Sequence, residues 1–183
     1  DLKILNVDVL SNKLVTDNPV NRCYYCKQGV FGTILEAAKN DGMTVILEGT
    51  NASDDADDRP GMKALQEMKV LSPLRMCGYV KSEIRKQSKE AGLFVYNKPS
   101  YACLATRIPT GTEIDEEKIK QVETAETFLF DLGFSDFRVR WMDNKAKIQM
   151  PESQLQALME KREVVLEELS KIFDEVLLDL RTR

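Results

Sequence analysis

Short apolar runs alternate with helical spacing through the first half of the chain. Continuous apolar runs predict buried strands at 4–9, 44–47 and 70–74, and extended chain at 93–95. Apolar residues three and four positions apart predict helices at 27–40, 62–68 and 81–91. This alternation is typical of an α/β fold with a mostly parallel sheet, which we assign to residues 1–112.

The pattern changes in the second half. Asp115 is expected to cap a helix that ends at Gly133, and strict alternation predicts a hairpin of strands at 137–141 and 145–150. A final helix and strand then follow, from Pro151 and at 175–180. The helix is expected to turn these residues inward: Leu155, Leu158, Met159, Leu166 and Leu169. Residues 113–183 therefore predict a small α+β domain with the order α-β-β-α-β.

Composition narrows the function classes. The formal net charge of −4 and pI near 5.1 argue against broad nucleic-acid or anionic-membrane binding. No apolar run approaches the roughly 18 residues of a membrane span. Histidine is absent, which excludes Ser-His-Asp and Cys-His catalysis. Four cysteines are too few for a disulfide scaffold, so we expect a cytoplasmic protein with reduced thiols.

The segment 99–111 holds a thiol, hydroxyls and a guanidinium between two prolines. Proline fixes φ and disfavours helix, so we expect an exposed or cleft-lining loop. Cys103 lies four residues before Arg107, whose charge can hold an anion or favour a thiolate. A buried structural cysteine is the alternative, because free cysteine is among the most buried residue types.

Two further stretches of the first half carry candidate chemistry. Cys23 and Cys26 form a CxxC pair, which is either redox-active, half of a metal site or an ordinary helix start. The acidic loop after residue 47 includes Asp54 and Asp57, whose carboxylates can hold Mg²⁺, while Arg59 can meet a phosphate. Spacing alone favours a solvated acidic loop.

The second half adds charged candidates. Arg138 and Arg140 share one face of a predicted strand and, with Lys147 across the hairpin, can bind a phosphate or an acidic partner. A solvated strand face is an equal alternative. Glu126 lies beside the apolar side of its helix, where a carboxylate needs a partner or a metal, unless it lies at the flank in water.

Five segments together resemble the LarE family of ATP-dependent sacrificial sulfur transferases, members of the PP-loop ATP pyrophosphatase superfamily. They follow the family's order and span nearly the whole chain, at 21–27 (NRCYYCK), 48–61 (ending RPG), 81–85 (KSEIR), 98–111 (with ACL) and 177–180 (LLDL). The resemblance implies a PP-loop-type α/β domain. The family's S-G-G-x-D-S loop, which cradles the ATP pyrophosphate, is absent here, and we expect it to precede Asp1.

The resemblance also implies a reaction. ATP with Mg²⁺ would adenylate a carboxylate of a pyridinium mononucleotide, on the route to the nickel-pincer nucleotide cofactor of lactate racemase. The Cys103 thiolate would displace AMP, and cleavage of its Cβ–S bond would leave dehydroalanine in the protein. Some relatives instead hold an iron–sulfur cluster through further cysteines. No cysteine follows Cys103, which favours the sacrificial route unless Cys23 and Cys26 converge on it.

Residue roles follow from the same resemblance. Arg107 would hold the substrate phosphate or the thiolate, with Thr106 as a hydroxyl donor. Metal-site acids of the family match Glu126 and Asp179. A phosphate-binding pair near a subunit contact matches Arg138 and Arg140, and a homo-oligomer is expected. Substrate or nucleotide binding is assigned to Asp54, Asp57 and Arg59.

Other functions remain open at this point. The 48–61 loop also resembles that of NAD and GMP synthetases, so an amide-forming enzyme is one alternative. A tRNA-thiolating enzyme is another, although the acidic chain counts against it. Because the PP-loop is absent, the chain is alternatively a non-catalytic assembly or substrate-binding domain.

Overall fold

The computed structural model describes residues 2–54 and 60–182, and the chain forms two compact units, Asp1–Lys98 and Pro99–Arg183. The Cys103 loop therefore belongs with the second unit. The functional division into 1–112 and 113–183 remains a prediction from the sequence pattern. Mixed α and β structure is confirmed.

The first unit is mainly helical in its described part. Its longest helix, α2 (Arg22–Asn40), packs against α3 (Pro60–Glu67) around the buried side chains of Met62, Leu65 and Val70. The sequence favours these helices because their apolar residues recur three and four positions apart. The helices are α1 (Lys13–Thr16), α2 (Arg22–Asn40), α3 (Pro60–Glu67), α4 (Pro73–Met76) and α5 (Lys81–Glu90).

The strands predicted in this unit do not form as expected. Residues 4–9 are irregular, and 93–95 enter a turn. The runs at 44–47 and 70–74 meet only in one parallel bridge between Leu47 and Leu71. Apolar runs become strands only where a neighbouring backbone completes the ladder, and Val45 and Leu47 stay more than half exposed. The parallel sheet is thus not confirmed in the described residues.

The second unit has the predicted α-β-β-α-β order. Its three-stranded sheet has the order β1 (Arg138–Met142), β2 (Lys145–Gln149), β3 (Glu175–Leu178) and packs one face on the helices. β1 and β2 are antiparallel, and β2 and β3 are parallel. Its buried core includes Leu129, Phe137, Val139, Ile148 and Leu169. The elements are α6 (Glu116–Asp131), β1 (Arg138–Met142), β2 (Lys145–Gln149), α7 (Leu155–Glu160), α8 (Arg162–Leu169) and β3 (Glu175–Leu178).

Local chemistry explains the ends of these elements. The Asp115 carboxylate accepts a hydrogen bond from the Lys118 backbone at 2.7 Å, which caps α6. Gly133 follows α6 with φ of 92°, a conformation that glycine adopts without strain. Asp143 and Asn144 turn the hairpin with φ of 47° and 58°, as a two-residue turn requires.

The prediction of one continuous helix after Pro151 is wrong. A 3₁₀ turn, Glu152–Gln154, precedes α7, and Lys161 separates α7 from α8. This break changes which residues face the core. Leu158 and Leu169 are buried as predicted, whereas Met159 and Leu166 are exposed. The predicted strand at 175–180 ends at Leu178, and Leu180 is exposed.

Candidate functional site

Cys103 lies at the start of a tight turn and its side chain is exposed. A 3₁₀ turn, Leu104–Arg107, follows it. The Thr106 backbone N–H and hydroxyl both donate to the Cys103 carbonyl oxygen, at 2.9 and 2.7 Å. The alternative of a buried structural cysteine is therefore wrong. The turn presents the thiol to solvent while its backbone is held by two hydrogen bonds.

The approach to this turn is fixed by aromatic packing. The Tyr101 ring lies against Phe130 of α6, with ring centroids 4.9 Å apart, and Phe130 lies 4.9 Å from Phe137. The Tyr101 hydroxyl oxygen also accepts a hydrogen bond from the Asp136 backbone at 3.4 Å. Packing of this kind anchors the segment before Cys103 to the core of the second unit.

The end of the turn is fixed by a buried ion pair. Arg107 is 1% exposed and Glu126 4% exposed. The Arg107 Nε and Nη2 donate to the two Glu126 carboxylate oxygens at 2.6 and 3.0 Å, and Nη1 donates to the Thr106 hydroxyl at 3.0 Å. The Val139 backbone N–H also donates to Glu126 at 2.9 Å. Glu126 thus has a partner, and its placement at a helix flank in water is wrong.

A second arginine reaches the same turn from the sheet. Arg140 Nη1 donates to the Thr106 carbonyl oxygen at 2.8 Å, and its Nε donates to Gln149 Oε1 at 2.7 Å. Gln149 Nε2 in turn donates to Asp179 Oδ2 at 2.8 Å, and Lys147 Nζ lies 3.0 Å from the same oxygen. A continuous chain of hydrogen bonds therefore joins Asp179 to the Cys103 turn.

The pleat of the sheet explains this grouping. Register places Arg138 opposite Gln149 and Arg140 opposite Lys147, so all four lie on the face turned away from the core. These four side chains are half-buried. The face is therefore cationic and structured, and it lies beside the turn of Cys103 through the Arg140 bond.

The structure connects most of the predicted residues of the second unit. Hydrogen bonds link Cys103, Thr106, Arg107, Glu126 and Arg140 directly, and Gln149 adds Asp179. Sequence analysis assigned no role to Gln149. The signal that could have found it is alternation across the predicted hairpin, which places Gln149 on the same sheet face as Arg138 and Arg140.

The first unit holds the remaining candidates. The Asp54 carboxylate accepts hydrogen bonds from the Asn51 backbone and side chain, at 3.1 and 2.8 Å. Nearby, one Glu48 carboxylate oxygen accepts from the Thr50 backbone and hydroxyl, at 3.0 and 2.6 Å. This part of the loop is thus internally ordered. Asp57 and Arg59 lie outside the described residues.

The described residues contain no assembled metal site. None of the four cysteines is in a disulfide, and Cys23 and Cys26 lie in the first turns of α2. Among residues 2–54 and 60–182, no three Cys, Asp or Glu side chains gather into a group that could hold a metal ion. Both oxygens of Glu126 already accept from Arg107, so a metal there would have to displace that pairing. The metal roles of Glu126 and Asp179 remain predictions.

Asp179 has an unusually acidic carboxyl. Its hydrogen bond from Gln149 lowers its pKa from 3.8 to about 2, with further contributions from the Arg181 backbone N–H and Lys147. Each of these donors favours the ionised form. The pKa of Asp179 is lower in the folded protein than in the unfolded chain, so the ionised carboxylate stabilises the fold. This contribution is present above about pH 4 and is lost as the pH falls towards about 2.

We therefore expect Asp179→Asn to flatten the acid dependence of stability. The free energy of unfolding of the wild-type second unit should fall between about pH 4 and 2, and that of the variant should fall less. Trp141, the chain's single tryptophan, lies in this unit and reports its unfolding by fluorescence. Asp131→Asn, at an exposed α6 carboxylate, is the control and should behave as wild type. Equal acid dependence in the two variants would contradict a stabilising contribution from the lowered pKa of Asp179.

The helices of residues 2–54 and 60–182 include none with the length and apolarity needed to cross a membrane.

Comparisons with known proteins bear on the family. No protein-family model matches the chain. An uncharacterized protein of Synechocystis sp., slr1717, is 36% identical over 171 residues, which are 93% of this chain and 63% of that protein. The uncharacterized protein MJ0830 of Methanocaldococcus jannaschii is 30% identical over 161 residues, 88% of this chain and 63% of that protein.

A third relative has a named activity. The pyridinium-3,5-bisthiocarboxylic acid mononucleotide synthase of Lactiplantibacillus plantarum is 33% identical over 149 residues, 81% of this chain and 54% of that enzyme. The chain thus spans between about half and somewhat under two thirds of the length of these curated relatives. That synthase is a LarE protein, and the similarity shows that the chain belongs to the LarE family.

Proposed function

We propose that the protein takes part in sulfur transfer for nickel-pincer cofactor synthesis, with Cys103 as the sulfur donor and a pyridinium carboxylate mononucleotide as the acceptor. The observation that carries the proposal is the exposed Cys103 thiol at a turn held by two arginines. The relative named as a pyridinium-3,5-bisthiocarboxylic acid mononucleotide synthase supports the choice of substrate class.

The proposed reaction begins with activation of a poor electrophile. ATP, bound as its magnesium complex, reacts as a substrate: a carboxylate oxygen attacks the α-phosphate, and pyrophosphate leaves. The resulting acyl adenylate has a good leaving group. The Cys103 thiolate attacks its carbonyl carbon and expels AMP, which gives a thioester to the protein.

Sulfur then leaves the protein by elimination. A base removes the Cα proton of Cys103, the Cα–Cβ double bond forms, and the Cβ–S electron pair departs with sulfur. The products are a thiocarboxylate on the substrate and dehydroalanine at position 103. No external reductant or oxidant is required, and each chain donates one sulfur atom.

The arginines divide the binding work in this proposal. Arg138 and Arg140 lie on the half-buried cationic sheet face, where the substrate phosphate can pair with them. Arg107 is 1% exposed, so its described contribution is to hold Thr106 and the turn. Direct contact of Arg107 with substrate would require its guanidinium to become accessible.

Other expectations of the family remain proposals. Nucleotide binding is proposed for Asp54, Asp57 and Arg59 in the first unit. No step above is assigned to a metal held by Glu126 and Asp179. A homo-oligomer, with the sheet arginines near a subunit contact, is also proposed.

The direct test is intact-mass spectrometry with peptide mapping on the protein from the complete gene, after incubation with ATP, Mg²⁺ and the pyridinium substrate. We expect Cys103 to lose about 34 Da, one H₂S, as dehydroalanine forms. Omission of ATP is the control and should leave the mass unchanged. Thiolated product with an unmodified Cys103 would point to another sulfur donor. Absence of both would favour an amide-forming or non-catalytic function.

A further inference from the structure

We propose that Gln149 is a positioning residue that holds Arg140 against the Cys103 turn. The Gln149 amide lies between two charged groups of the sheet face. Its oxygen accepts from Arg140 Nε at 2.7 Å, and its nitrogen donates to Asp179 Oδ2 at 2.8 Å. Both ends of the side chain are thereby fixed. The catalytic consequence of this inference rests on the proposed function, but its structural part does not.

The chemistry of the partners determines the orientation of the amide. An arginine guanidinium only donates hydrogen bonds, and an ionised carboxylate only accepts them. The amide must therefore turn its oxygen to Arg140 and its nitrogen to Asp179. Glutamate at this position could still accept from Arg140 but could not donate to Asp179. Methionine, of similar size, could do neither.

The hydrogen bonds from Arg140 through Gln149 to Asp179 form a bridge, and Asp179 anchors it at the end of the sheet. Its backbone N–H donates to the Ile148 carbonyl at 2.9 Å, its Oδ1 accepts from the Arg181 backbone at 3.1 Å, and its Oδ2 lies 3.0 Å from Lys147 Nζ. The carboxylate is thus held independently of Gln149. A fixed acceptor on one side makes the amide a rigid spacer rather than a mobile surface side chain.

The other end of the bridge is the turn itself. With its Nε held by Gln149, Arg140 places Nη1 2.8 Å from the Thr106 carbonyl oxygen. Thr106 in turn holds the Cys103 carbonyl through its N–H and hydroxyl. The orientation of the guanidinium therefore bears on the geometry of the turn that carries the thiol.

A loosened turn would slow the attack of the thiolate. Attack on an acyl carbonyl needs the sulfur close to the carbonyl carbon and above the plane of the carbonyl group, and a misplacement of about 1 Å can cost roughly a hundredfold in rate. Loss of the Gln149 bridge should thus lower the rate of sulfur transfer more than it weakens substrate binding. A purely structural residue of the sheet would not act selectively on the turn.

Hydrogen exchange at the Thr106 amide tests the inference without substrate. We expect Gln149→Met to raise its exchange rate roughly tenfold, because Arg140 loses its bond to Gln149 and then holds the Thr106 carbonyl less firmly. Gln149→Glu retains the acceptor for Arg140 and should restore much of the protection. Lys145→Met is the matched control, because Lys145 lies on the same strand face but pairs with Glu175.

The outcomes separate clearly. Acceleration in Gln149→Met, partial restoration in Gln149→Glu and wild-type exchange in Lys145→Met would support the proposal. Unchanged exchange in Gln149→Met, or equal acceleration in Lys145→Met, would overturn it. If Gln149→Met fails to fold, Gln149→Asn replaces it, since the shorter amide cannot reach both partners, and unchanged exchange there would overturn the proposal equally.

Turnover measurements distinguish this inference from the proposed function. In the protein from the complete gene, Gln149→Met should lower the single-turnover rate of thiocarboxylate formation about tenfold or more with a smaller change in substrate affinity. If Gln149→Met exchanges faster at Thr106 but the wild-type protein transfers no sulfur, the positioning role stands and the proposed function is refuted. If Gln149→Met exchanges as wild type does and the wild-type protein transfers sulfur, the proposed function stands and the positioning role is refuted.

Discussion

Replacing Cys103 with alanine is expected to abolish sulfur transfer while ATP-dependent adenylation continues. The thiol is the proposed nucleophile and also the sulfur source, so no other group can substitute for it within the sacrificial mechanism. Product formation should fall by roughly a thousandfold or more. Release of pyrophosphate measures the first step, and formation of the thiocarboxylate measures the second.

The chain offers matched controls for this experiment. Cys77 is another exposed free thiol, located at the end of α4, and Cys77→Ala should transfer sulfur as wild type does. Cys103→Ser retains a small nucleophile of similar shape but holds no sulfur, so it too should give no thiocarboxylate. Sulfur transfer that persists in Cys103→Ala would refute the assignment, and Cys23→Ala and Cys26→Ala would then identify whether the CxxC pair supplies sulfur.

Among the substitutions proposed here, removal of the Glu126 carboxylate is expected to cause the largest loss of stability in the second unit. Glu126→Leu would leave the Arg107 guanidinium, 1% exposed, without its bidentate partner, and would leave the Val139 N–H without an acceptor. Breaking a buried pair by deleting one partner typically costs about 3–5 kcal/mol. Denaturant unfolding followed by Trp141 fluorescence would measure this cost in the second unit.

A double variant separates the ion pair from the burial of its members. Arg107→Met together with Glu126→Leu removes both charges, so it should recover much of the stability that either single change loses. Lys171→Met disrupts an exposed pair with Glu168 and should leave the unfolding midpoint unchanged. Simple addition of the two single losses in the double variant would contradict a direct coupling between Arg107 and Glu126.

The buried pair of Arg107 and Glu126 is also linked to the turn that carries Cys103. Arg107 donates to the Thr106 hydroxyl, which in turn donates to the Cys103 carbonyl oxygen. The double variant should therefore fold but hold the turn less firmly. A folded double variant with slow sulfur transfer would assign the ion pair a role in positioning the turn, beyond its contribution to the fold.

Local sequence was sufficient for several elements. Helices α5 and α6 and the β1–β2 hairpin agree with the predicted positions, and α2 ends where predicted but begins at Arg22 rather than at 27. Apolar spacing, the Asp115 cap, Gly133 and the Asp143–Asn144 turn all act within a few residues. The exposed loop around Cys103 also follows from its bounding prolines. Such features need no knowledge of distant parts of the chain.

The strand predictions of the first unit show the limit of that reasoning. A run such as 4–9 has strand-like composition, yet a strand needs the backbone of a distant neighbour to satisfy its N–H and C=O groups. The described residues supply only the Leu47–Leu71 bridge there. In the second unit β2 finds both β1 and β3, and its predicted strand forms as a result.

The sequence by itself determined the reactive groups of this protein: Cys103 in a proline-bounded loop, two arginines on one strand face, and a carboxylate beside an apolar helix face. Only the tertiary structure decided their partners. It paired Glu126 with Arg107, directed Arg140 to the Thr106 carbonyl and placed Gln149 between Arg140 and Asp179. The physical reason is that hydrogen bonds and buried ion pairs depend on distances between residues far apart in sequence, which spacing along the chain does not specify.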